Sequence, residues 1–86
     1  MLTQQDLDYY KNKVLSEAIS QPTRFEITKT YYKEKHKSIE EIAKMYNRTT
    51  RGITTAMMGT IFEIRRYLRT YNITEKEIDE VLKEIF

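Results

Sequence analysis

The chain has no cysteine, no tryptophan, one proline, two glycines and one histidine. Without thiols it has no disulfides, no thiolate zinc site and no cysteine nucleophile. His36 lies in a charged run with no nucleophile or metal partner beside it, which fits a solvated or phosphate-facing side chain better than a catalytic one. Glu40-Glu41 and Asp79-Glu80 are sequence neighbours that diverge on a helix, so neither makes an acid/base pair. There is no glycine-rich phosphate loop either. The expectation is a protein that is not an enzyme and that uses no cofactor and no metal. No apolar run reaches 18 residues and the N-terminus has no apolar leader, so a cytoplasmic protein with no membrane partner is expected. In that setting the glycosylation-like triplets at Asn47 and Asn72 are chance matches. Sustained two-residue alternation is missing too, which argues against strands.

What is present is charge, at 33% of 86 residues, enough chain for a single domain with a small core. The net charge of +2 is unevenly spread. Residues 22–72 carry eleven Lys/Arg against five Asp/Glu, residues 1–21 two against three, and residues 73–86 two against five. A basic centre between acidic ends suits a surface that meets a polyanion.

Periodicity and capping signals predict an all-α fold of about five helices. Leu7, Tyr10, Val14 and Ala18 form one stripe of a first helix over residues 3–20, with Leu15 and Ile19 beside it. Ser20-Gln-Pro22 interrupts it, because proline disfavours a helical residue before it. Thr23 and Glu26 have capping-box spacing for a second helix, which ends near the basic run 33–37. Ser38 and Glu41 open a third helix with Ile39, Ile42, Ala43 and Tyr46 inward. Asn47 suits the left-handed turn after it, and Thr49 or Thr50 caps the fourth helix. That helix has no stop before Tyr71-Asn72, and a third box at Thr74 and Glu77 starts the last one, with Ile78, Leu82 and Ile85 on one face. The single domain 1–86 then reads as an N-terminal helix (1–22), a central core (23–58) and an extension with the C-terminal helix (59–86).

Residues 38–58 carry the functional signal. Ala43 is the small residue where two helices cross, Ile42 and Tyr46 flank it, and Asn47 stands at the turn four residues on. Ile53, ten residues past Ala43, is the apolar seat of the following helix, continued by Ala56 and Met57. This pattern resembles the helix-turn-helix of DNA-binding proteins. With Thr30-Tyr-Tyr-Lys-Glu-Lys-His-Lys-Ser-Ile-Glu-Glu-Ile-Ala43 before it, the stretch 23–58 looks like the helix-turn-helix of sigma-factor region 4 and similar regulators. Two positions depart from the pattern. Arg48 stands where an apolar residue is usual, and Gly52 lies inside the second helix, as if its backbone had to approach DNA or another helix closely.

The resemblance implies that Thr49, Thr50, Arg51, Thr54 and Thr55, with Met58, face the major groove of double-stranded DNA. Arg51 would read a guanine edge in bidentate fashion, while the threonines meet bases, phosphates or thymine methyls. Lys29, Lys33, Lys35, Lys37 and Arg48 would grip phosphates, which position a protein without reading sequence. Met57, Ile61, Ile64, Leu68 and Tyr71 form a heptad-like seam, either the interface of a homodimer or a stripe covered by the chain's own first and last helices. A dimer would set two reading helices about 34–36 Å apart. Arg65, Arg66 and Arg69 would meet phosphates, or acids of the last helix such as Glu77 and Glu80. The expected function is a small transcriptional regulator of phage, plasmid or prokaryotic type. Its rivals are a protein-interaction module for RNA polymerase or another regulator, and a DNA-recognition subunit of a packaging machine.

Overall fold

The computed structural model describes Met1–Phe86 and is all-helical, with five helices and no strand. Helix α1 (Gln4–Lys13) runs into a π-helical turn (Val14–Ala18), followed by α2 (Pro22–Lys33), α3 (Ile39–Met45), α4 (Thr50–Arg69) and α5 (Glu75–Ile85). Three capping boxes fix the starts of α1, α3 and α5. Thr3, Ser38 and Thr74 accept the backbone N–H of Asp6, Glu41 and Glu77, whose carboxylates accept the cap residues' own N–H groups. The box expected at Thr23 does not form. α2 starts one residue earlier, at Pro22, with Gln21 as its uncapped boundary. Proline presets the helical φ at the first position and brings no N–H to satisfy, so a hydroxyl cap at Thr23 is superfluous.

The chain resolves into two compact units. One is the central segment Gln21–Ile61; the other joins Met1–Ser20 to Phe62–Phe86. The two terminal segments, separate in the sequence reading, are thus one structural unit, and α4 contributes residues to each. No helix is long and apolar enough to cross a membrane.

In the central unit the core is Ile27, Ile42, Ala43, Ile53 and Ala56, with Tyr31, Ile39, Tyr46 and Met57 packed against it. The Tyr46 hydroxyl lies 2.8 Å from Thr30 Oγ1, and Thr30 Oγ1 donates to the Glu26 carbonyl at 2.9 Å. That polar contact sits at the edge of the apolar cluster and ties the end of α3 to α2.

In the terminal unit α1 packs on α5, and Val14, Ala18, Ile64, Leu68, Ile78, Val81 and Ile85 are buried. Tyr71 stacks edge-on with both Tyr10 and Tyr67. Glu63 accepts the N–H and the hydroxyl of Ser20 and so fastens the end of the first helical segment. Leu15 is exposed on the π-helical turn, whose Val14 and Ala18 are buried.

The seam that the sequence allows to be either a homodimer interface or a stripe covered by the chain's own helices is covered from within at Ile64 and Leu68. Ile64 and Leu68 are wholly buried, Met57 packs on the central core, and Tyr71 is held by two other tyrosine rings; Ile61 is half-buried. Arg65 and Arg69 meet acids of α5, but these are Glu75 and Asp79, not Glu77 and Glu80. Glu75 and Asp79 are one helical turn apart and share a face, whereas Glu77 is spent on the Thr74 cap.

Candidate functional site

The segment from Ser38 to Met58 is held by local backbone chemistry at both helix ends it contains. At the end of α3, Asn47 adopts φ 54°, the Arg48 N–H donates to the Ala43 carbonyl at 2.8 Å, and the Asn47 N–H donates to the Lys44 carbonyl at 3.2 Å. This paired closure satisfies carbonyls that the helix end leaves free, and asparagine enters the left-handed region at lower cost than most residues. The Arg48 side chain is exposed, so the position that departs from the family pattern contributes backbone to the turn and sends its charge to solvent.

α4 then starts on Thr49, whose Oγ1 accepts the Gly52 N–H at 3.0 Å while its carbonyl accepts the Ile53 N–H at 3.0 Å. Gly52 has a local explanation, not the close approach of another helix. A Cβ there would stand 3.2 Å from Thr49 Oγ1 and 3.8 Å from the Arg48 Cβ, with no other helix within reach. The bare backbone leaves room for the cap.

Ile53, Ala56, Thr60, Ile64 and Leu68 form the buried stripe of α4. Its other side presents Thr50, Arg51, Thr54, Thr55 and Met58, all exposed, and continues to an exposed Phe62. No acidic residue occurs between Glu41 and Glu63, so this face carries cation, hydroxyl and apolar groups only. The threonines are not equivalent. Thr49 is committed to its cap, and Thr54 Oγ1 donates to the Thr50 carbonyl at 3.2 Å. The Thr50 and Thr55 hydroxyls make no hydrogen bond within the protein and are available to a ligand.

The central unit carries eight Lys/Arg against four Glu, the terminal unit seven against nine Asp/Glu. The pairing follows the same division. Arg65 and Arg69 hold Glu75 and Asp79, and Lys13 reaches Glu17, all within the terminal unit. None of the eight Lys/Arg of the central unit is in an ion pair; only His36 has a carboxylate beside it, that of Glu34 at 3.5 Å. A net +4 is therefore left without internal compensation in the unit that holds the exposed α4 face.

The sequence-derived cations do not form one cluster. Lys35 and Lys37 line an open recess of about 260 Å³ with Tyr31 and Tyr32. Lys29 lies over the Phe25 ring, 5.7 Å from its centroid. Lys33 ends α2, and Arg48 is at the turn. The sequence reading missed Arg24. Its guanidinium is seated on α4 at Gly59, where a Cβ would come within 3.0 Å of Nη1. The only signal in the sequence was a second glycine inside a long helix.

The perturbed titratable groups all belong to the terminal unit. A hydrogen bond from the Tyr67 hydroxyl to the Glu17 carboxylate, then one shared with Tyr71, pushes the Tyr67 phenol far above its ordinary value. Burial, with Asp6 nearby, raises Tyr10. The Arg69 guanidinium lowers Glu75, and the N-terminal N–H of Thr74 lowers Glu77. The causes of these shifts are an ion pair, a helix cap, burial and hydrogen bonds of a tyrosine cluster. No group of three His, Cys, Asp or Glu is placed to hold a metal ion. No protein family matches this chain, nor does any curated protein or solved structure.

Proposed function

We propose that this chain is a sequence-specific DNA-binding protein of helix-turn-helix type, a small transcriptional regulator that lays the first turns of α4 in the major groove. One observation carries the reading: an acid-free helix face in a unit with a net charge of +4, none of whose Lys and Arg side chains is in an ion pair. A surface of that kind gains most from a polyanion, since each phosphate neutralised releases a condensed counterion. Arg51 is the base-reading residue, assisted by Thr50 and Thr55, whose hydroxyls are uncommitted. Arg48, Lys29, Lys33, Lys35 and Lys37 hold phosphates on either side. The reading involves no catalysis and no cofactor, and it places the protein with its DNA in the cytoplasm of a prokaryotic-type cell.

A gel shift on a random duplex pool, at low and at moderate salt, tests it. Binding should fall steeply with salt, and Arg51→Glu should erase any selected sequence preference. Lack of any shift at low salt would overturn the reading. It would favour the second one, a module that docks on RNA polymerase or another regulator, for which the exposed Met58 and Phe62 of α4 speak. Homodimerisation no longer has the seam to rest on, and a two-fold repeat in selected sites would be the sign of it.

A further inference from the structure

Gly59 occupies the middle of a 20-residue helix, where glycine is a poor choice. The reason is on the neighbouring helix. A Cβ on Gly59 would stand 3.0 Å from Arg24 Nη1 and 3.9 Å from Arg24 Cζ, so the missing side chain makes the seat on which the guanidinium lies. Arg24 is half-buried, and its backbone carbonyl is engaged by Thr28 Oγ1 at 2.9 Å. The guanidinium thus rests against Gly59, yet it has no carboxylate partner. Gly59 lies one helical turn beyond Thr55 and next to Met58, so the charge sits at the flank of the exposed face of α4. An arginine held against a helix with its donors unspent matches a phosphodiester, which accepts the planar fork in two hydrogen bonds.

We propose that Arg24, seated on Gly59, is a phosphate clamp that fixes how α4 lies on duplex DNA. This assignment rests on the DNA-binding reading above. The site takes one backbone phosphate, beyond the bases read by Arg51, and contributes equally to every sequence.

The test measures duplex affinity against salt for the wild type, Arg24→Ala, Gly59→Ala and the double variant, with a thermal melt of each. Arg24→Ala should lower the slope of log affinity against log salt by about 0.9, the value for one phosphate. It should weaken selected and random duplexes by the same factor. Gly59→Ala puts a better helix former in place and meets only the far end of the Arg24 side chain, which can swing aside, so its melting temperature should hold or rise while its affinity falls. In the Arg24→Ala background the same glycine change should do nothing further to binding. An unchanged salt slope in Arg24→Ala, or a further loss in the double variant, overturns the clamp and leaves DNA binding standing. A wild type that binds no duplex at low salt overturns both.

Discussion

The Tyr46 hydroxyl and Thr30 Oγ1 stand 2.8 Å apart, joining the C-cap residue of α3 to the third turn of α2 beside the central core. Tyr46→Phe removes this contact and the longer bond from the same hydroxyl to the Glu26 carbonyl, at 3.4 Å, while Thr30 keeps its own bond to that carbonyl. No donor is left buried and alone, so the cost should be that of one net hydrogen bond, about 0.5–1.5 kcal/mol. Urea unfolding of the two proteins measures it directly, and a loss well above that range would mean the ring itself had shifted.

Thr49, Thr50 and Thr55 at the start of α4 should separate into two behaviours. Thr49→Ala deletes the helix cap and should cost about 0.5–2 kcal/mol of stability. Thr50→Ala and Thr55→Ala remove hydroxyls with no protein partner, so stability should stay within about 0.5 kcal/mol while site selection becomes less strict. Thermal melts combined with binding-site selection on each variant distinguish the classes. Equal destabilisation by all three would show that the outer hydroxyls serve the fold.

Leu68 is wholly buried inside the chain, and Leu68→Ala should cost about 2–5 kcal/mol. Light scattering should show the same mass for the wild type and for any folded fraction of the variant. Phe62→Ser, on the exposed side, should change stability by no more than about 0.5 kcal/mol. A variant at Leu68 that halves the mass yet keeps its stability would return the seam to a dimer interface.

Acid should loosen the start of α5. Glu75 and Glu77 both titrate below the ordinary 4.5 in the folded chain, Glu75 because Arg69 holds it and Glu77 because the Thr74 N–H does. Their folded forms bind a proton less readily than the unfolded chain does. The stability they give is complete above about 4.5 and is lost as pH falls through their lowered values. Melting temperature followed from pH 6 to pH 3 should drop below that point, and Glu75→Gln should flatten part of the fall. Because Glu75 is exposed, added salt should weaken the Arg69 contribution.

Much of the fold was legible along the chain because its signals act over three to five residues. The boxes at Ser38 and Thr74, the left-handed Asn47, the Thr49 cap and the inward set Ile42, Ala43 and Ile53 each follow from neighbouring residues and a helical period. The exposure of Thr50, Arg51, Thr54 and Thr55 follows from that same period. The misplaced start of α2 was a contest between two local signals, which proline won by presetting its own φ.

By itself, then, the sequence determined the helical class, the boxes at Ser38 and Thr74, the turn and the outward face of α4, because backbone hydrogen bonds and steric limits are settled within a turn or two. Only the tertiary structure decided the rest. It joined the two ends of the chain into one unit and buried Ile64 and Leu68, so that a stripe compatible with a partner became core. It spent Arg65 and Arg69 on Glu75 and Asp79 while leaving Arg24 seated on Gly59 without a counter-charge. An apolar stripe or a cation has the same local signature whatever covers it, and what covers it is fixed by segments far away in sequence.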